Sequence, residues 1–230
     1  MSQLELFAPA PLLSREEAVE LLRPYLGSDL RIIADRLKVT SEGSKTKNSG
    51  WAGHTAEWLL GSAPNNEQAA DFGSWELKVT TVSSVEEVIS PQPHHNRLNW
   101  RARTHITLTS FQPNEILETP FAKSHLFEKT HRLLLICREY ISLEEFSSPL
   151  VMIVEYDLYE QALDELEREY ESLRWALREF GIEGINQVQT KRLGAQVSQS
   201  TRGGGRFIAR RHWVQEMINI GLRHTQRDTI

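Results

Sequence analysis

Two carboxylates and a lysine lie close together in the sequence, at Asp71, Glu76 and Lys78. The residues that follow, Val-Thr-Thr-Val, predict a β-strand that begins near Glu76. Side chains alternate between the two faces of a strand, so Glu76 and Lys78 are expected to point the same way. A turn centred on Gly73 would fold Asp71 back toward them. The spacing therefore predicts two carboxylates and one ammonium group around a single point.

This set of groups suits a Mg²⁺ ion, which binds through few carboxylates and leaves its other positions to water and a phosphate. Lys78 would then orient or deprotonate an attacking water, or stabilise the charge that builds on phosphorus. The alternative is a solvated strand face, because the same spacing of common residue types also arises by chance.

A third carboxylate, Glu57, is predicted on a short helix upstream. The segment 50–61 has the character of a helix that ends at Gly61, a typical position for a C′ glycine. Its apolar residues leave Glu57 among neighbours that form a core, where a charge without a partner is costly. A nearby metal ion would explain that position. The alternative is a glutamate on the helix surface with no special partner.

Further motifs continue this pattern. Four short motifs follow one another along the chain. They are Gly-Trp-x-Gly-x-x-x-Glu-x-x-Leu-Gly from residue 50, Asp-Phe from residue 71, Glu-Leu-Lys from residue 76 and Ser-His-x-x-x-Lys from residue 124. In this order they resemble the MutH/Sau3AI family of DNA endonucleases, a branch of the PD-(D/E)xK nucleases. The resemblance covers residues 14–220. It implies an α/β, restriction-endonuclease-like fold, with a mixed sheet flanked by helices and two lobes around a DNA groove.

The resemblance also implies one endonuclease domain over residues 1–230 and a role for each site residue. Asp71, Glu76 and Glu57 would bind Mg²⁺, and Lys78 would act on the attacking water or the scissile phosphate. Lys129 resembles a further active-site lysine of the family; the alternative is a surface lysine where a strand begins. The catalytic carboxylates would lie in residues 50–135 and a basic, DNA-reading region in residues 185–215. The expected DNA-binding residues are Lys191, Arg192, Arg202, Arg206, Arg210 and Arg211.

The implied activity is Mg²⁺-dependent hydrolysis of phosphodiester bonds in double-stranded DNA, leaving 5′-phosphate and 3′-hydroxyl ends. Ile208 stands where the mismatch-repair members carry a tyrosine associated with sensing adenine methylation, so a type II restriction enzyme is favoured. The alternatives are a MutH-like strand-nicking enzyme of mismatch repair and a catalytically silent DNA-binding protein.

Recognition of the sequence GATC is the best-known specificity of the family. A single chain has one active site, so double-strand cleavage would need a homodimer on DNA or two successive nicks. A cognate methyltransferase would accompany restriction, and mismatch-repair proteins would accompany nicking.

Charge is unevenly distributed along the 230 residues, whose net charge is −5. Residues 183–230 hold eight basic and three acidic residues, a net charge of +5, so residues 1–182 carry −10. A basic final segment suits the DNA backbone; the alternative is a solvated basic surface.

The single cysteine, Cys137, excludes a disulfide framework and is expected in the core. No signal peptide or membrane-spanning run is predicted, which favours a cytoplasmic protein with no membrane partner.

Hydrophobic periodicity predicts the main elements. A capping box at residues 14–17 opens a first helix, and a second is expected over 29–37. A long loop is expected over 83–99 and a glycine loop over 198–206. Strands are predicted at 104–109, 132–137 and 150–156, the last two buried and central, with paired strands over 185–197. One continuous helix with a solvated acidic face is predicted over 159–180.

Overall fold

The protein is described by a computed structural model that covers residues 13–39, 50–62, 72–88, 96–141, 147–198 and 204–227. In this part of the chain the α-helices are α1 (Arg15–Leu22), α2 (Leu30–Arg36), α3 (Trp51–Leu59), α4 (Pro113–Glu118), α5 (His125–Thr130), α6 (Leu158–Gln161), α7 (Leu163–Phe180) and α8 (Arg211–Arg227). The β-strands are β1 (Glu76–Val88), β2 (Asn96–Ala102), β3 (Ile106–Phe111), β4 (Arg132–Glu139), β5 (Leu150–Asp157), β6 (Leu193–Val197) and β7 (Gly205–Ala209).

The first helices begin where the sequence provides side-chain caps. The Ser14 hydroxyl accepts the Glu17 backbone N–H, and the Glu17 carboxylate accepts the Ser14 N–H, which forms the predicted capping box of α1. Asp29 caps α2 by accepting the backbone N–H of Arg31 at 2.8 Å. The chain leaves α3 through Gly61, whose φ of +76° favours glycine. These three predicted helices are confirmed.

Two sheets form the scaffold. The larger sheet has the strand order β2-β1-β4-β5; β1 and β4 are parallel, and both outer pairs are antiparallel. The smaller sheet has the order β3-β7-β6 and is antiparallel throughout. Together they give the mixed α/β architecture, a mixed sheet flanked by helices, that the sequence predicts.

Strand alternation assigns each face of the larger sheet to a different core. Leu77, Leu134 and Ile136 pack with α1, α2 and α3 in one cluster of buried residues. Leu133 and Leu135 face the opposite cluster, which also contains residues from the smaller sheet, α7 and α8. β4 is therefore buried on both faces, which explains its nearly continuous apolar sequence, whereas β1 alternates apolar residues with polar and charged ones.

Several element predictions need correction. The expected loop over 83–99 is wrong at both ends, because β1 continues to Val88 and pairs with β2 from Asn96. The helix over 159–180 is interrupted at Ala162, whose φ of −158° and ψ of 19° are not helical. β5 is an edge strand, whereas β4 is central as predicted. The paired strands expected over 185–197 are also wrong: a 3₁₀ turn occupies Ile182–Gln187, and β6 pairs with β7 instead. Most of the predicted glycine loop over 198–206 lies outside the described residues.

Cys137 lies on β4 and is fully buried, as the sequence predicts. Burial raises the pKa of its thiol to about 12. None of the described helices is both long and apolar enough to cross a membrane.

A buried arginine ties α1 to the larger sheet. Arg15 donates to both carboxylate oxygens of Asp157, at 3.1 and 2.6 Å, and forms an ion pair with Glu155 at 3.1 Å. Its guanidinium also reaches the backbone carbonyls of Leu133 and Tyr156. Since the Arg15 side chain is only 6% exposed, both carboxylates are needed to offset the cost of burying its charge.

Replacing Arg15 by Ala is expected to lower the free energy of unfolding by about 2 kcal/mol or more, because it removes a buried guanidinium that pairs with Asp157 and Glu155 and leaves only Arg132 beside Asp157. Urea denaturation measures this change. Arg23→Ala is the matched control: Arg23 pairs with Glu20 in water, so its loss is expected to cost at most about 0.5 kcal/mol. Equal effects of the two substitutions would contradict the anchoring role of Arg15.

Candidate active site

A cleft of about 670 Å³ lies along the first half of β1. β4 pairs with one edge of β1 from Glu76 to Val82, but β2 pairs with the other edge only from Val82 onward. Along residues 76–81 no described strand therefore occupies that second edge. Residues of α3 and of the segment 104–110 line the cleft there. We call this space the Glu76 cleft.

Glu76 lies in the Glu76 cleft between two ammonium groups. Lys78 Nζ is 2.5 Å from Oε1 of Glu76, and Lys129 Nζ is 2.9 Å from Oε2. The side chain of Glu76 is 1% exposed, that of Lys129 8% and that of Lys78 18%. The Glu76 carboxylate thus pairs with two ammonium groups that water reaches only in part, and this pairing offsets part of the cost of withdrawing the charges from water.

The turn before β1 fixes the position of Glu76. Gly73 has a φ of +72°, and the rings of Phe72 and Trp75 on either side of it stack at 4.1 Å. The indole N–H of Trp75 donates to the carbonyl of Leu13 at 2.8 Å, which fastens the turn beneath α1. The predicted turn at Gly73 is therefore present, and it delivers Glu76 to the first position of β1. Asp71, the residue that this turn was expected to fold back, lies outside the described residues.

Lys129 reaches Glu76 from α5, 53 residues away in the sequence. Ser124 caps this helix by accepting the backbone N–H of Phe127, and Thr130 donates to the carbonyl of Leu126 at 2.6 Å. Lys129 is buried, so the alternative of a surface lysine does not describe its environment.

Glu57 also lines the Glu76 cleft, from α3. Its side chain is partly exposed, and its Oε2 atom is buried. Across the described residues there is no group of three or more His, Cys, Asp or Glu side chains placed to hold a metal ion. Glu57 and Glu76 therefore provide the carboxylates that the described part of the cleft offers to a cation.

Sequence reasoning missed two polar groups of the cleft wall, Thr80 and Arg138. Thr80 shares the β1 face of Glu76 and Lys78 and is 3% exposed; among the described residues its hydroxyl oxygen has no hydrogen-bond partner. The same period-two rule that united Glu76 and Lys78 would have found it. Arg138 directly follows the apolar run of β4 in the sequence. A charged residue at the end of so buried a strand is the feature by which the sequence could have identified it.

Lys191 and Arg192 lie in a turn held by acidic side chains. The Glu169 carboxylate accepts the backbone N–H groups of residues 191–193, at distances from 2.7 to 3.1 Å. The Arg192 guanidinium forms ion pairs with Glu165 and Glu216 and is 12% exposed, whereas the Lys191 side chain is exposed. The acidic face of α7, expected to be solvated, thus contacts this turn. The arrangement favours a structural role for Arg192 and leaves Lys191 open to a ligand.

The remaining predicted DNA-binding arginines are dispersed. Arg206 is exposed on β7 and lies opposite Ser110 of β3, which lines the Glu76 cleft. Arg210 donates to the Thr190 hydroxyl at 3.2 Å, and Arg211 donates to the carbonyl of Ala102 at 2.7 Å. Arg202 is outside the described residues. Among these arginines, Arg206 is the one whose strand position lies opposite a residue that lines the cleft.

Comparison with known proteins gives a distant structural likeness. No family model matches the chain, and no curated protein matches it. Among solved structures, the chain is similar to the restriction endonuclease MvaI in complex with its cognate DNA substrate, with 14% sequence identity and a TM-score of 0.35. The likeness covers 90% of this chain and 98% of that chain.

The charge balance around Glu76 predicts an order of stabilities. Glu76→Gln removes the carboxylate that pairs with both Lys78 and Lys129 and is expected to lower the free energy of unfolding by about 3 kcal/mol. Lys129→Met keeps one carboxylate opposite one ammonium, so its effect should be smaller. Urea denaturation in metal-free buffer measures both, with Lys123→Met, at an exposed lysine, as the matched control. A larger loss for Lys129→Met than for Glu76→Gln would contradict this charge balance.

Proposed function

We propose that the chain is a Mg²⁺-dependent DNA endonuclease whose active site is the Glu76 cleft. The observation that carries the proposal is the convergence of Glu76, Lys78 and Lys129, with Glu57 on the same cleft. A carboxylate held between two lysines in an accessible cleft is a costly arrangement, and such clusters of buried ionisable groups are typical of functional sites. The motif order that resembles the MutH/Sau3AI family supports the same assignment.

The side chains of the cleft fit a Mg²⁺ ion by their chemistry. Glu76 and Glu57 provide hard oxygen donors, and Mg²⁺ commonly binds one or two carboxylates and completes its coordination with water and phosphate. Glu76 retains acceptor capacity beside its two lysines, since an ionised carboxylate offers about four lone-pair sites. We infer that Glu76, Glu57 and Asp71 would hold the ion. Bound Mg²⁺ would supply Lewis-acid stabilisation of the phosphoryl oxygens.

The lysines would act on the scissile phosphate and the attacking water. Lys78 is the more exposed of the two and lies on the β1 face that lines the cleft, so its ammonium group can orient the water or neutralise charge on a phosphate oxygen. Lys129 is more deeply buried and holds the second oxygen of Glu76. It would fix the orientation of the carboxylate, and its positive charge would favour an anionic substrate.

Double-stranded DNA would lie across the cleft and the outer face of the smaller sheet. On that face Thr107, Ser110, Gln196 and Arg206 occupy paired positions of β3, β7 and β6. Arg206 and the exposed Lys191 are the remaining basic candidates for DNA contacts there. This polar, partly basic surface continues directly into the cleft through Ser110.

A type II restriction enzyme is our preferred form of this activity, and a MutH-like nicking enzyme is the alternative. Ile208 is 8% exposed and packs close to Gly194, where a Cβ would lie 2.7 Å from the Ile208 side chain. A buried aliphatic side chain at this position offers no hydroxyl to a DNA base, which supports the restriction reading over methylation sensing. Double-strand cleavage would require a homodimer on DNA or two successive nicks.

Supercoiled plasmid, unmethylated or adenine-methylated at GATC, tests the activity directly. With Mg²⁺ the wild-type protein is expected to convert it to discrete linear fragments, whose ends give the recognition site, and EDTA should abolish the reaction. Open circles alone would favour the nicking alternative. Lys123→Met, outside the Glu76 cleft, should cut like the wild type. An intact plasmid in the presence of Mg²⁺, with DNA binding retained, would favour the silent DNA-binding protein instead.

A further inference from the structure

Two arginines converge on one tryptophan beside the Glu76 cleft. The guanidinium of Arg31, from α2, lies 4.5 Å from the ring centroid of Trp51, and that of Arg138, from β4, lies 5.1 Å from it. Trp51 is the first residue of α3. The aromatic ring therefore holds two positive charges from distant parts of the sequence close to one another.

The described residues compensate these two charges only in part. Arg138 donates to the Ser148 hydroxyl at 2.8 Å, and neither guanidinium forms an ion pair with a described carboxylate. The Asp29 carboxylate interacts electrostatically with Arg31, but it already accepts the backbone N–H groups of Arg31 and Ser148. Burial, and then the positive charge of Arg31, lower the pKa of Arg138. A bound anion would relieve this like-charge contact.

The cluster borders the proposed active site. Arg138 and Gly50, the N-cap residue of α3, both line the Glu76 cleft. Gly50 has no side chain with which to cap α3, and the N-terminal end of a helix carries partial positive charge. The forked donors of an arginine match the oxygens of a phosphate group well.

We propose that Arg31 and Arg138 form a phosphate-binding site for the DNA backbone beside the Glu76 cleft. This inference rests on the proposed function, because a strand whose scissile phosphate lies at Glu76 carries further phosphates along the cleft wall. The site contacts phosphate groups and makes no contact with base edges. It holds the DNA strand in register while the residues of the Glu76 cleft act on the scissile phosphate. Neither arginine belongs to the basic final segment from which DNA contacts were expected.

Fluorescence anisotropy with duplex DNA in Ca²⁺, over a series of KCl concentrations, tests the site. Arg31→Gln and Arg138→Gln are each expected to reduce the slope of log K against log[KCl] by about 0.9 and to weaken binding equally for two duplexes of unrelated sequence. Arg31→Lys and Arg138→Lys should keep the slope because they keep the charge. Arg178→Gln, an exposed arginine of α7 with the same change in net charge, should leave binding and slope unchanged.

Thermal unfolding of each variant shows whether weaker DNA binding comes from a lost phosphate contact or from an unfolded protein. If Arg138→Gln is unstable, the Arg31 variants still test the site, because Arg31 lies on a surface helix. Unchanged slopes in folded variants of a protein that cuts plasmid would overturn the phosphate site and leave the nuclease proposal intact. Arginine-dependent slopes in a protein that cuts nothing would support the site and overturn the nuclease proposal. A wild-type protein that binds no duplex would overturn both.

Discussion

The shared ion pair of Glu76 with Lys78 and Lys129 is the interaction on which the candidate site depends. Two ammonium groups and one carboxylate remain together where little water reaches them, so each charge requires the others. Three separate elements must therefore keep their relative positions: the turn that starts β1, the strand itself and helix α5. Buried clusters of ionisable groups are typical of functional sites, which is the basis of our proposal that the Glu76 cleft is an active site.

The two-sheet scaffold creates the space in which those charges act. β1 is long enough to pair with β4 through its first half and with β2 through its second half, and this division leaves one edge of the first half open. Helix α3 and the β3 segment then flank that edge. The polar outer face of the smaller sheet meets the cleft at Ser110, and the Arg31–Trp51–Arg138 cluster meets it at Arg138. A substrate with a repeated negative charge, such as DNA, could contact all three at once.

Local rules predicted much of the scaffold and part of the site. The capping box at Ser14, the buried strand β4 and the turn at Gly73 follow from short-range patterns, and period-two alternation placed Glu76 with Lys78. Lys129 was reached only through resemblance, because no local rule joins residues 53 positions apart. The contacts of Arg31 and Arg138 with Trp51, and of Arg192 with Glu216, depend on how distant elements pack. The β1–β2 hairpin was missed because the polar, proline-containing segment after residue 83 resembles a loop.

Measuring DNA cleavage and DNA binding separately is the most direct test of whether the Glu76 cleft is the active site. Glu76→Gln and Lys78→Met, each first shown to be folded, would be compared with the wild type for plasmid cleavage in Mg²⁺ and for duplex binding in Ca²⁺. Cleavage rates are expected to be at least about a hundredfold lower, since each change removes charge stabilisation from the reaction centre, with binding close to that of the wild type. Cleavage at the wild-type rate by both variants would show that the Glu76 cleft is not the active site.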